Sequence, residues 1–219
     1  MPGIEISTVA DGRDVHVLAY FIDTASPGLI AFLDRQREDR LRRVRMMEER
    51  LAALGAPIDI DPVLADARCG RSVGRPQIAT ALVVAGHVRT RDEAFDRFLG
   101  FGGPAFIPRE GASPEQVVAI VHAAGGVASL AHPGVTRRDH LIPSLAAAGL
   151  DAIEVRHSDH DEATEVRYRA EARAHGLLVS GGSDFHGPAG HRIARLGIVT
   201  LPQADFNRLR AAADRRRVH

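Results

Sequence analysis

The chain has 219 residues, 45% hydrophobic and 26% charged, with 28 basic and 28 acidic residues and a formal net charge of zero. A chain of this size can bury about 70% of its unfolded surface, and its lone cysteine, Cys69, excludes a disulfide framework and a cysteine-rich zinc module and fits a reducing cytosol. No run approaches the roughly 18 apolar residues of a membrane span, no signal peptide opens the sequence, and the balanced charge argues against a dedicated nucleic-acid or polybasic membrane binder. A cytoplasmic protein is expected. All the positive charge is arginine, which reflects base composition, and the informative excess is histidine, 11 residues in all.

Asp14 to Ile22 (DVHVLAYFI) is rich in β-branched and aromatic residues and predicts a strand. Ser26-Pro27 supplies a helix start, and apolar residues at 33, 41, 44, 47, 51 and 54 predict a helix over about 28–54, stopped by Gly55. Short helices are expected over 59–68 and 72–85, and Thr90-Arg-Asp-Glu93 reads as a capping box for another that ends at Gly100. Beyond this helical stretch the pattern changes. Ser113-Pro-Glu-Gln116 starts a helix that ends at Gly125-Gly126, followed by an apolar run over 127–131, a helix near 139–148 and a strand over 152–155. A helix near 161–175, strands over 177–181 and 196–200 and a final helix from about 204 complete the chain. Strands alternating with helices predict βαβ units and a parallel sheet. The expected organisation is an α/β body over 1–219, one structural unit that carries a helical insertion at about 27–105.

In parallel βα architectures, functional groups collect where strands exit into loops. His132, in LAHPG, follows the apolar run 127–131, and Asp184 with His186, in GGSDFHG, follows the strand over 177–181. Near the start, Glu5 stands in PGIEIS and His16 inside the next strand. Imidazole nitrogen and carboxylate oxygen are the donors that Mn, Zn or Fe take. A lone histidine or carboxylate is usually a hydrogen-bonded or solvated residue. Two strand exits delivering such groups into one layer instead predict a metal site.

PGIEIS, the strand histidine in DVHVLAYFID, SVGRPQIATALVVAG (72–86), AHPG and GSDFHG together resemble the PHP (polymerase and histidinol phosphatase) superfamily, in particular its nucleoside 3′,5′-bisphosphate phosphatase and 5′-to-3′ exoribonuclease-like branch. The resemblance runs over nearly the whole chain. It implies a distorted (β/α)7 barrel with a helical insertion, and divalent ions, often manganese with Zn, Fe or Mg as alternatives, that activate water against a phosphate ester. Glu5, His16, His132, Asp184 and His186 would be the metal ligands. Family members open on a strand with Asp-Leu-His-x-His, which is not in this sequence, so a barrel without its first strands is expected. Gln77 stands where relatives usually carry histidine. It can hydrogen-bond a substrate oxygen but is a poor ligand.

Arg75 is either a bidentate phosphate clamp or a surface arginine at a helix start. His160, in RHSDHD after the strand over 152–155, is a candidate general acid or substrate contact, and His157 and Asp159 are weaker companions; a surface-loop role stays open for all three. The expected partner is a nucleotide or short oligonucleotide. The basic surplus of the helix over 28–54 is a solvated face or a shallow anion surface, and without Trp there is no stacking platform for sequence-specific recognition. Against this stand three alternatives: a remnant that binds metal without turnover, a metal-dependent amidohydrolase, and a partial barrel that pairs its exposed sheet edge with another chain. The pair GSDFHG and PGIEIS favours the phosphoesterase.

Overall fold

Asp11 and Gly12, both at positive φ (49° and 68°), form a two-residue turn that folds β1 (Gly3–Ala10) back on β2 (Arg13–Tyr20) in the computed structural model, which describes residues 1–69, 71–185 and 196–217. An Asp-Gly pair at positive φ has the twist that antiparallel strands need. The described chain divides into two compact units, Met1–Ile30 with Ala112–His219, and Ala31–Gly111.

The first unit holds a five-stranded mixed sheet among the described residues, completed by β3 (Val127–Leu130), β4 (Ala152–Arg156) and β5 (Leu178–Gly181) in the order β1-β2-β3-β4-β5. β1, β2 and β3 are antiparallel neighbours; β3, β4 and β5 are parallel. The α/β class expected from the sequence holds, but two expectations fail. The sheet is not all parallel, because the Asp11–Gly12 turn makes β1 a hairpin partner of β2. Residues 196–200 are not a strand either. Gly197 turns the chain at φ 80°, and Leu196 and Ile198 are 80% and 64% exposed, without the burial that a core strand needs.

Register assigns each side chain to a face, since paired residues point the same way. One row runs Ile6, Val17, Leu130, Ile153, Val179 across all five strands, and all five are buried. The opposite face carries Glu5, His16, Leu18, Ser129, Glu154 and Ser180, so nearly every polar group in the sheet shares one side. Helix α5 (Pro114–Ala123), opened by the reciprocal Ser113–Gln116 cap, packs on β1, β2 and β3. A short α6 (Pro133–Thr136) and α7 (Ile142–Ala147) connect β3 to β4, and α8 (Glu162–Ala174) connects β4 to β5. The last helix, α9 (Gln203–Arg217), lays Leu209 and Ala213 against Val127 and Ala152.

The second unit is helical: most of α1 (Pro27–Ala53), then α2 (Asp61–Arg68), α3 (Arg75–Val84), and α4 (Arg91–Ala94) running into a wider turn over Phe95–Leu99. Val44, Met47 and Leu51 stack at helical spacing on α1 and meet Ile78, Leu82 and Leu99 in its core. Thr90 caps α4 as expected, its hydroxyl accepting from the Glu93 amide.

Asp151, just before β4, ties the first unit together. Its carboxylate accepts hydrogen bonds from His122 Nε2 of α5 and the Ala128 amide of β3, both at 2.8 Å, and from Arg216 of α9 at 2.9 Å. Burial pushes this carboxyl up, but the hydrogen bonds from His122, Arg216 and Ala128 outweigh it and hold the group below its usual 3.8. A carboxyl depressed in the fold contributes stability above pH 3.8 that is lost as pH falls through the folded value. Asp151→Ala strands His122 and Arg216 and is expected to lower the unfolding free energy by about 3 kcal/mol in urea titrations at pH 7. A loss that persists undiminished well below pH 3.8 would mean that packing, not charge, is what Asp151 supplies.

Candidate metal centre

Glu5 and His16 are diagonal neighbours on β1 and β2, since Glu5 pairs with Leu18 and Ser7 with His16. The ladder between β2 and β3 ends at Val17–Leu130, and the next residue, Ala131, still donates its amide to the His16 carbonyl at 3.0 Å. The chain then turns at His132, which adopts φ 28° and ψ 56° ahead of Pro133. A non-glycine residue at positive φ costs about 1 kcal/mol and, where it persists, is over-determined by its surroundings. Asp184 adopts φ 50° beyond β5. Two of the sequence-predicted ligands thus stand on left-handed turns after parallel strands.

The result is a convergence of three side chains from three elements. Glu5 Oε1 lies 2.6 Å from His16 Nδ1 and 3.4 Å from His132 Nε2, and the two imidazole nitrogens are 3.3 Å apart. Their ligand atoms all fall within 4.8 Å of one another. Metal–ligand bonds of about 2.1 Å imply ligand–ligand edges of about 3.0–3.4 Å in octahedral or tetrahedral shells; the two contacts of His132 match such edges, while Glu5 and His16 stand closer, at hydrogen-bond distance, and would part slightly around a divalent cation. Nδ1 of His132 is buried and finds no partner among the described residues, so Nε2 is its engaged nitrogen.

Electrostatics support the same grouping. Burial pushes the Glu5 carboxyl up, yet hydrogen bonds and charge from His132 and His16 hold it far below the usual carboxylate range. Burial draws His132 down, but Glu5, Glu154 and Asp184 together raise it above 6.5. Asp184 therefore belongs to the same electrostatic neighbourhood.

Next to this trio, His157 is 1% exposed, with its ring 5.6 Å from that of His132. Its Nδ1 accepts the Asp159 amide at 3.0 Å, and its Nε2 lies 3.5 Å from Asp184 Oδ2. His160 places Nδ1 2.8 Å from the Val155 carbonyl and Nε2 3.3 Å from the Gly134 amide. Burial lowers the pKa of His160, so at neutral pH the ring donates to Val155 and accepts from Gly134. A Cβ on Gly134 would stand 2.7 Å from His160 Nε2, which explains the glycine of AHPG.

Arg75 and Gln77 belong to the second unit. The Arg75 guanidinium lies over the rings of Phe106 and Phe95, at 5.3 and 6.0 Å, and Gln77 Oε1 caps α3 by accepting the Gly74 amide at 2.9 Å. His186 lies outside the described residues.

Sequence reasoning missed Glu154. It is 4% exposed on β4 and accepts the His132 amide at 2.8 Å, and burial pushes its carboxyl up to about 7 against that hydrogen bond. An acidic residue inside an apolar strand run (Ala-Ile-Glu-Val) is the signal that would have found it, because buried charges are rare unless paired.

No family model matches the chain. It is 34% identical over 195 residues to the 5′-3′ exoribonuclease Rnm of Salmonella typhimurium, a match covering 86% of this chain and 66% of that one. It is 35% identical over 191 residues to the 3′,5′-nucleoside bisphosphate phosphatase of Chromobacterium violaceum, covering 85% and 67%. The chain thus spans about two thirds of the length of these curated relatives. Among solved structures, one described as a metal-dependent phosphoesterase from Bifidobacterium adolescentis superposes with a TM-score of 0.80 at 35% identity, covering 96% of this chain and 75% of that one. Another, described as an amidohydrolase from Chromobacterium violaceum with bound sulfate and no metal, gives 0.79 at 32% identity, covering 96% and 76%. The chain belongs to the PHP superfamily. Within it, the chain falls with the exoribonuclease and nucleoside bisphosphate phosphatase branch.

The raised His132 value predicts a titration. Its protonated form, paired with Glu5, stabilises the metal-free fold fully below pH 6.5, and that stabilisation is lost as pH rises through the folded value. Proton NMR of the metal-free protein is expected to show His132 keeping its proton above pH 6.5, and Glu5→Gln to move the midpoint down. An unmoved midpoint in that variant would take the cause away from Glu5.

Proposed function

We propose that this chain forms the metal-binding body of a phosphoesterase that hydrolyses phosphate esters of nucleotides or oligonucleotide ends with a metal-activated water. The observation that carries the proposal is the meeting of the hairpin pair Glu5 and His16 with His132, remote from both in sequence, within 4.8 Å of one another. Asp184, which acts on His132 through its charge, joins them as a ligand, and His186 joins on the strength of its motif. Histidine with carboxylate suits Mn, Zn or Fe, with Mn favoured and Mg a further candidate. Bound divalent ions supply hydroxide near neutral pH and neutralise phosphate oxygens. We take the five strands as part of the family's distorted (β/α)7 barrel.

Each residue of the chain then has a stated task. Glu5, kept ionised by its two histidines, offers negative charge to a cation. His16 and His132 offer imidazole nitrogens. His160, neutral at pH 7 and bonded to the Gly134 amide, borders the substrate through the loop it holds, and a general-acid role requires that bond to open. Buried His157, 3.5 Å from Asp184 Oδ2, acts on substrate through that carboxylate. In the second unit, the Arg75 guanidinium lies over the rings of Phe106 and Phe95, and the Gln77 oxygen caps α3. The nucleotide preference rests on the relatives' names. No helix among the described residues is long and apolar enough to cross a membrane.

The test is release of inorganic phosphate from a nucleoside 3′,5′-bisphosphate by the purified chain with Mn2+. Chelation with EDTA is expected to abolish turnover, and Asp184→Asn to lower kcat/KM by about 10²- to 10³-fold. Turnover indifferent to EDTA would remove the metal mechanism, and stoichiometric metal without turnover would remove the hydrolytic one.

A further inference from the structure

Glu154 is the only acidic residue in β3, β4 and β5, and it is 4% exposed. Its position is set by register: it pairs with Ser180, on the sheet face that carries Glu5 and His16. Its Oε2 accepts the main-chain amide of His132 at 2.8 Å. That amide is the last donor before Pro133, which has none, and it belongs to the residue that holds φ 28°.

Three observations thus meet at one bond: a carboxyl with almost no access to water, a short hydrogen bond, and a strained turn at the other end of it. Glu154 is not one of the three converging donors. A strained residue relaxes unless neighbours hold it, and the amide of a left-handed turn points where its φ sends it. An acceptor fixed on a central strand therefore selects one orientation of the turn, and with it one direction of the His132 ring.

We propose that Glu154 is a positioning residue: by accepting the His132 amide it holds the left-handed turn that presents imidazole Nε2 to Glu5 and His16. The inference rests on the metal-centre reading above and adds a residue that acts on a ligand through the main chain. Groups that orient metal ligands typically change metal affinity by about 10- to 100-fold when removed.

Two substitutions separate the bond from the charge. Glu154→Gln keeps the length and an acceptor oxygen but cannot ionise; Glu154→Asp keeps an ionisable carboxyl but is one methylene too short to reach. Metal-stripped proteins are titrated calorimetrically with Mn2+, and the visible bands of bound Co2+ report ligand geometry. Gln is expected to bind within about threefold of wild type with an unchanged Co2+ spectrum, and Asp about 10- to 100-fold more weakly with altered bands. Asp binding like wild type, or Gln losing as much as Asp, overturns the inference. Wild type binding neither ion overturns the metal-centre reading and this inference with it, whereas tight wild-type binding matched by both variants overturns the inference alone. A readout that needs no variant to fold is amide exchange at His132 in the metal-free wild type: slow exchange is expected, and exchange at the rate of an exposed loop amide overturns the bond.

Discussion

The hydrogen bond from the Ala131 amide to the His16 carbonyl, one step past the last β2–β3 pair, is the contact on which the centre depends. It carries the sheet register beyond the end of β3 and so decides where the following residue emerges. A slip of one residue in β2 sends His16 to the opposite face, and one in β3 moves His132 out of reach of it. Such a slip is opposed by the buried row of Ile6, Val17, Leu130, Ile153 and Val179, whose burial would be lost with it. The apolar face of the sheet therefore specifies the geometry of its polar face.

That polar face is electrostatically costly by itself. Glu5 stands between two imidazoles, and Glu154 and Asp184 add negative charge to the same neighbourhood. Protons and hydrogen bonds compensate in part: His132 is driven toward its charged form and Glu154 toward its neutral one. A divalent cation compensates more fully, because it places positive charge where several donors already point. On the proposed reading the site exchanges protons for metal, whereas surface ion pairs contribute little.

Much of this organisation was legible in the sequence because it is local. The long α1 helix, the Ser113 cap, the apolar runs of β3, β4 and β5 and the polar residues at their exits all follow from periodicity and turn chemistry. Three features did not. β1 is fixed by its pairing across the Asp11–Gly12 hairpin turn, and the antiparallel half of the sheet depends on it. The run over 196–200 looked like a strand, but Gly197 and the exposure of its neighbours defeat that pattern. Glu154 is one polar residue inside an apolar strand run, and its depth is set by packing.

The sequence alone determined the donor chemistry, Glu, His and Asp at strand ends, and through its ordered motifs it determined the superfamily, since residue types and spacings are properties of the chain. Only the tertiary structure decided which donors meet. His132 is brought to the hairpin pair Glu5 and His16 by hydrogen bonds between segments more than a hundred residues apart, and the depth of His157 and Glu154 depends on packing from all sides. Gln77 makes the same point at short range: a residue type suited to a substrate oxygen also suits a helix cap, and the folded backbone assigns its carbonyl to the Gly74 amide.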